Sequence, residues 1–389
     1  MITVIADDIT GAAEIAGVCL RYGLHVSFGI DSVPAVKADV CIIATDSRSA
    51  TETKAYGIYQ DIMKAVLKNS DSVVFKKCDS VLRGFVLTEL SAMLEAMKLK
   101  RVILQPSNPS VGRCIRKGVY YIENVKIKST AFAHDPDFPA TASEIQLLLL
   151  KRSPTHNQIT EIHTGNIHTV TGDGIFIPDC STVEELITSS ELSGNERLLC
   201  GSAAFFEQVL LQKGIESILK DQQKTSILSD FLLISGSTHS TSRDFANKML
   251  ERECPVMAFP SAMLQQEVEN TVIDDWADEL KVDWSKKHKL VLTISEKNIS
   301  FPDSSSVLKQ RMSMVVRSLV EHCDIKELLI EGGATAYSIL NILNCKTLIP
   351  VQELSPGVIR MENSLFPTMH LTIKPGSYRW PEKFLTVTD

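Results

Sequence analysis

The chain has 389 residues, 44% hydrophobic and 22% charged, with a formal net charge of −7 and a mean hydropathy of +0.05. That length favours two domains, and the composition is that of a globular protein with no apolar run long enough to span a bilayer. With 40 basic against 47 acidic residues, nucleic acid is disfavoured as a partner, because phosphate backbones are bound by excess positive charge.

Any anionic ligand must therefore meet a local cluster of Lys and Arg. The nine cysteines are scattered and form no C-x-x-C pair, which fits reduced, buried thiols rather than disulfides or structural zinc. The first residues lack a basic region followed by a small-residue cleavage site, so the expected location is the cytoplasm.

In chain order, "ITVIA" (2–6) reads as a buried strand that runs at once into Asp7 and Asp8. Two neighbouring carboxylates suit either a helix start or a site that binds cations and substrate hydroxyls. "GAAEIAGVCLRYG" follows as a helix closed by Gly23. The strand "VCIIA" (40–44) leads into Thr45, Asp46, Ser47 and Arg48, and "TETKAYGIYQDIMKAVLKNS" is helical in pattern. "SVVF" (72–75) leads into "KKCDSVLRG" (76–84), the helix "VLTELSAMLEAMKLK" comes next, and "RVILQ" (101–105) leads into "PSNPSVGR".

Strands alternating with helices imply βαβ units and a mostly parallel sheet. A second group, "FLLIS" (231–235), "KLVLTIS" (289–295), "ELLIE" (327–331) and "MHLTIK" (369–374), follows the same logic. The polar, helix-patterned stretch 210–230 between them has no strand of its own, so the boundary is expected near 225, with domains 1–225 and 226–389. "KKHK" (286–289) reads as the solvated approach to a strand.

Open parallel sheets bind ligands outside the carboxyl ends of their strands. A single Asp, Ser or Thr after a strand commonly caps the next helix, but four successive strand ends rich in polar groups exceed what capping needs. Lys76, Lys77, Asp79, Ser80 and Arg83 together supply cations, an acceptor and a donor, which suits a polyhydroxylated anion.

The second half carries a different pattern. "LLIEGGATAYSIL" is a strand, a glycine turn and a helix, which aims backbone N–H groups at an anion. "LLISGSTHSTSRDFA" repeats it with Ser235, Gly236 and Ser237, and "IKPGS" brings Lys374 and Gly376 after the last strand. Three such turns point to nucleotide phosphates. Neither G-x-x-x-x-G-K-[ST] nor G-x-G-x-x-G occurs, and neither H-E-x-x-H nor G-x-S-x-G. His163 and His168 read as surface residues, and His134 lies in a proline-bounded loop.

Taken together, "ADDITGA" (6–12), "KKCDSVLRG" (76–84), "PSNPSVGR" (106–113) with Gly118 and Tyr120, "FAHDPDFP" (132–139), "SGS" (235–237), "EGGATA" (331–336), "SPGV" (355–358) and "KPGS" (374–377) resemble the four-carbon acid sugar kinase family. The resemblance implies an α/β fold of two domains, each a mostly parallel sheet flanked by helices, with a cleft between them. It implies phosphorylation of threonate, erythronate or 3-oxo-tetronate type acids with ATP and Mg²⁺, with no ligands identified for the metal. No nucleic acid or membrane is expected as partner, and a homo-oligomer is compatible with it.

Carried over, Asp7 and Asp8 line the sugar-acid site, one of them accepting the attacking hydroxyl's proton. Lys77, Asp79, Ser80 and Arg83 bind substrate, with Lys77 and Arg83 on the carboxylate. Ser237, Gly332, Gly333, Ala334, Thr335 and Gly376 bind nucleotide. Val81, Phe85, Ala334 and Ala336 stand where relatives often carry Thr, Asn, Asp and Ser, so the substrate of this chain can differ from theirs. Two other readings are a tetronate sensor without turnover and a D-x-D-x-T phosphatase, the latter disfavoured because these aspartates are adjacent.

Overall fold

The structure is a computed structural model that describes residues 1–69, 72–155, 161–192, 197–217, 230–236, 240–294, 301 and 303–381. The chain divides into two compact units, Met1–Ile218 and Leu219–Asp389. The boundary expected near 225 lies outside the described residues.

The first unit contains β1 (Ile2–Ala6), α1 (Ile9–Arg21), β2 (Val26–Ile30), β3 (Val40–Ala44), α2 (Glu52–Asn69), β4 (Val73–Lys77), α3 (Val86–Met97) and β5 (Arg101–Gln105). A small antiparallel sheet follows, β6 (Arg113–Arg116), β7 (Val119–Ile122) and β8 (Val125–Lys126). The chain then returns through α4 (Ile145–Arg152), β9 (Ile162–Gly165), β10 (Gly174–Pro178), α5 (Val183–Glu191), β11 (Leu198–Gly201) and α6 (Ala203–Gln212).

Its main sheet has the order β2-β3-β1-β4-β11-β5-β10-β9, and the paired strands run parallel. β1, β2 and β3 are buried at every position, as expected for a parallel sheet covered by helices on both faces. β1 sits between β3 and β4, so the chain crosses over it through α2. That crossing places the ends of three functional strands side by side.

Local chemistry sets the element limits. The Asp8 side chain caps α1 by accepting from the Gly11 amide at 2.8 Å. Gly23, at φ +66°, ends the helix as expected: its amide reaches Leu20 O at 3.1 Å and the Leu24 amide reaches Cys19 O at 3.0 Å. The β6–β7 and β7–β8 turns place Lys117, Gly118, Glu123 and Asn124 at positive φ, the backbone that two-residue hairpins require.

The strand β4 extends beyond the expected residues 72–75 to Lys77. Lys76 and Lys77 are both buried, because their aliphatic stems pack while the ammonium groups find partners. The short strands β2, β9, β10 and β11 extend the sheet beyond the four strands read from sequence.

The second unit contains β12 (Phe231–Ser235), α7 (Ser240–Glu251), β13 (Val256–Ala258), α8 (Asn270–Lys287), β14 (Lys289–Thr293), α9 (Ser304–His322), β15 (Glu327–Glu331), α10 (Gly333–Ile342), β16 (Thr347–Ser355), β17 (Val358–Glu362) and β18 (His370–Lys374). The sheet order is β13-β14-β12-β15-β18-β17-β16, parallel except for β17, which is antiparallel to β18 and β16.

Two sequence motifs resolve into structural punctuation. "SPGV" is the turn of the β16–β17 hairpin, with Gly357 at φ +75°. In "KKHK", Lys286 and Lys287 end α8, His288 caps it at φ +53° and Lys289 opens β14. Among the described residues no helix is long and apolar enough to cross a membrane.

Candidate functional site

The carboxyl ends of β1, β3 and β4 converge on one guanidinium. Arg48, just past β3, donates from Nε to Asp7 Oδ2 at 2.9 Å and from Nη2 to Asp8 Oδ1 at 3.0 Å. Its Nη2 also lies 3.9 Å from Asp79 Oδ1. Asp7 is fully buried, and its second oxygen, Oδ1, has no hydrogen-bond partner among the described residues.

Asp8 is differently engaged. Its Oδ1 also accepts from the Gly11 amide, and its Oδ2 accepts from Thr10 Oγ1. Burial pulls the Asp8 pKa upward, but Arg48, Lys77 and the Thr10 and Gly11 hydrogen bonds outweigh it and hold the carboxyl below its usual value. Gly11 permits this approach: a Cβ there would lie 2.7 Å from Asp8 Oδ1 and 3.1 Å from Lys77 Nζ.

The segment after β4 is folded by its own carboxylate. Asp79 Oδ2 accepts from the amides of Val81 (3.2 Å) and Arg83 (3.1 Å) and from Arg83 Nε (3.0 Å), while Oδ1 accepts from Arg83 Nη2 (2.9 Å). Burial raises the Asp79 pKa, yet Arg83 and Arg48 hold it well below the usual range. Arg83 Nη1 also stands 3.6 Å from Asp135 Oδ2, which lies in the "FAHDPDFP" loop. Leu82 and Gly84 take positive φ to make the turn.

The two lysines face opposite sides of the sheet, as alternation along a strand demands. Lys76 is fully buried, 2.9 Å from Glu89 Oε2 on α3 and 4.8 Å from the Tyr59 ring centre. Ser47 Oγ donates to Glu89 Oε1 at 2.6 Å, so this pair braces the turn that carries Arg48. Lys77 turns toward α1, 3.4 Å from Glu14 Oε2, and donates to Cys78 O at 3.0 Å.

Asp7, Asp8, Asp79 and Arg83 are therefore linked through Arg48, and Lys77 adjoins Asp8 across Gly11. Ser80 is engaged elsewhere: Arg113 donates to its hydroxyl and Tyr120 to its carbonyl. Arg152 on α4 binds Val81 O (2.7 Å) and Phe138 O (2.6 Å), and burial lowers its pKa to about 10. Among the described residues no group of three or more His, Cys, Asp or Glu is placed to hold a metal ion.

In the second unit, the three glycine turns follow neighbouring strands, β12, β15 and β18. The Gly236 amide donates to Glu331 O at 3.3 Å and the Gly332 amide to Lys374 O at 2.9 Å. A Cβ on Gly236 would lie 2.0 Å from Thr335 Oγ1, so only glycine lets these two turns touch. Gly332, at φ +100°, caps α10 and leaves the first-turn N–H groups of Gly333, Ala334 and Thr335 without helical acceptors. Gly376 lies in the turn closed by the Tyr378 amide on Pro375 O at 3.1 Å. Ser237 lies outside the described residues.

A family model for a sugar-binding N-terminal domain matches residues 2–209, and one for a nucleotide-binding C-terminal domain matches residues 232–378. The chain belongs to the four-carbon acid sugar kinase family. The D-threonate kinase of Salmonella typhimurium is 22% identical over 385 residues, covering 91% of this chain and 89% of the relative. The 3-oxo-tetronate kinase of Pseudomonas fluorescens is 21% identical over 413 residues, covering 96% and 93%. A Haemophilus influenzae protein of known structure shares the fold at a TM-score of 0.71 and 17% identity, covering 99% of this chain and 98% of that one.

For this kinase family member, the residue that sequence reasoning left unassigned is Arg48. Its signal was its place after β3, in the same set of strand ends as the two aspartates. Glu89 also left a trace, as a charged residue on the otherwise apolar "VLTELSAMLEAM" face. Asp135 was marked only by its place in the "FAHDPDFP" motif, and Glu14 and Arg152 carried no signal, because their partners are set by tertiary contacts.

Proposed function

We propose that the protein is an ATP-dependent kinase that phosphorylates a hydroxyl of a four-carbon sugar acid of the threonate, erythronate or 3-oxo-tetronate type. The observation that carries this reading is the Arg48 guanidinium bridging Asp7 and Asp8 at the strand ends of the sugar-binding domain. A planar fork of donors beside acceptors is the chemistry a hydroxylated carboxylate needs.

In this reading Arg48 is the mobile partner. A substrate carboxylate draws the guanidinium toward itself and uncovers Asp7, whose Oδ1 then accepts the proton of the attacking hydroxyl. Asp8, with both oxygens already hydrogen-bonded, stays ionised and holds the start of α1. Lys77 adds positive charge behind the carboxylates, and Asp79 sets the direction of Arg83 rather than meeting substrate itself. Ser80 supports the turn from the hairpin side. A positioned base contributes roughly 10²- to 10⁴-fold in rate, and phosphoryl transfer otherwise asks for alignment and charge neutralisation.

In the C-terminal domain the backbone N–H groups around Gly332, Gly333, Ala334 and Thr335, with Gly376 beside them, receive the nucleotide phosphates. Mg²⁺ accompanies ATP in such transfers, but the acidic residues near the proposed sugar site are already engaged with arginines and the described residues offer no grouped ligands. The free, mostly buried cysteines fit a cytoplasmic location.

The test is to incubate the protein with ATP, Mg²⁺ and a panel of tetronates and to measure ADP and sugar-acid phosphate. Stoichiometric appearance of both with one acid supports the reading. Thermal stabilisation by an acid and ATP without any ADP would replace it with the sensor.

A further inference from the structure

The turns of the nucleotide domain are tied together by a carboxylate that phosphate would repel if the two met. Glu331, the last residue of β15, is 1% exposed. Its Oε1 accepts from Lys374 Nζ at 2.9 Å and from Ser242 Oγ, and its Oε2 accepts from Ser235 Oγ at 3.2 Å. These donors come from the end of β18, the first turn of α7 and the end of β12. One side chain therefore joins all three segments from which the glycine turns spring.

Lys374 is equally enclosed. It is fully buried, and beyond Glu331 it donates to Pro375 O at 2.8 Å and Tyr378 O at 2.6 Å, with the Trp380 ring centre 5.3 Å away. An ammonium has three donors, and here all three are used within the protein. The cation of the "KPGS" motif is thus withheld from a nucleotide. A buried ion pair adds little net stability over apolar packing, so its value here lies in geometry. The contact between Gly236 and Thr335 makes that geometry unforgiving.

We propose that Glu331 is a positioning residue for phosphoryl transfer. It sets the ends of β12, β15 and β18 in register so that the backbone N–H groups at the start of α10 and in the turn after β18 grip the phosphates, while Lys374 serves as a strut and makes no phosphate contact. This rests on the reading of the C-terminal domain as the ATP site.

The experiment uses the full chain and compares ATP, ADP and adenosine binding by titration calorimetry. Glu331→Gln keeps the shape and removes the charge, and Ser242→Ala removes a single arm of the hub should Glu331→Gln fail to fold. The expected result is that ATP and ADP bind about 10-fold more weakly or worse, as for misplaced binding groups, while adenosine affinity and the KM for the sugar acid stay at the wild-type level. Lys374→Met added to Glu331→Gln should cost no further ATP affinity, because the two act as one unit.

Parallel weakening of ATP and adenosine would reduce Glu331 to a structural residue and overturn the proposal, as would full additivity of Lys374→Met. Unaltered ATP affinity in both Glu331→Gln and Ser242→Ala would do the same. If the wild-type chain bound no nucleotide at all, the ATP-site reading itself would fall first, a result distinct from the others.

Discussion

The Arg48 guanidinium places Nε 2.9 Å and Nη2 2.8 Å from the same Asp7 oxygen, Oδ2, while Asp7 Oδ1 stays buried without a partner among the described residues. The two adjacent aspartates are thus unequal: Asp8 is a helix cap with both oxygens engaged, and Asp7 keeps one acceptor in reserve.

That inequality separates two variants. Asp7→Asn should lower turnover about 10²- to 10⁴-fold with ATP binding intact. Asp8→Asn should retain much of the activity, since Asn also caps helices well. Steady-state kinetics beside nucleotide titration decides the matter, and equal losses in the two would end the assignment of Asp7 as base.

Arg48→Lys preserves the charge and loses the fork. The sugar-acid kcat/KM is expected to fall about 100-fold, the scale of a misplaced contact, with the KM for ATP unmoved. Activity near the wild-type level would remove Arg48 from the substrate site.

Gly11→Ala runs against the usual rule. Replacing an interior helix glycine by alanine ordinarily stabilises by about 0.5–1 kcal/mol. Here the new methyl would stand 2.7 Å from Asp8 Oδ1, an oxygen already anchored by the Gly11 amide and Arg48. A lower melting temperature and a loss of activity are expected; a more stable, fully active variant would contradict the packing described.

Acid should expose the Asp79 contribution. Its folded pKa lies well below the ordinary 3.8, so its stabilisation is complete above that value and is lost as pH falls through the lower folded pKa. Asp8, also lowered, acts in the same direction. Urea midpoints measured from about pH 6 down to about pH 2 should fall steeply for the wild type and less steeply for Asp79→Asn. Parallel curves would show that the Arg83 and Arg48 interactions do not depress this carboxyl.

The Lys76–Glu89 pair offers a cycle. Lys76→Met alone leaves a buried carboxylate uncompensated and should cost about 3–5 kcal/mol. Adding Glu89→Gln removes the stranded charge, retains an acceptor for Ser47, and should recover most of that loss. Equilibrium denaturation of the three variants measures it, and additive losses would show that the pair is not coupled.

Much of the fold was legible because its signals are local. Strands such as "ITVIA" and "FLLIS" are continuous apolar runs ending in polar groups, and Gly23 closes α1 as its residue type requires. The short strands β9, β10 and β11, and the β16–β17 hairpin, escaped because their residues become strands only when a sheet edge or neighbour accepts their backbone bonds. The burial of Lys76 was hidden for the same reason: its partner, Glu89, lies on another element.

The sequence by itself determined the alternation of strands and helices, the polar strand ends and the family to which their motifs belong, because each depends on residues a few positions apart. The tertiary structure alone decided which charges are free and which are braced. Arg48 meets Asp7 across 41 positions and Lys374 meets Glu331 across 43. Burial without a partner is costly for any of them, so the fold, by bringing these residues together, gives each of these cations a carboxylate of the protein itself.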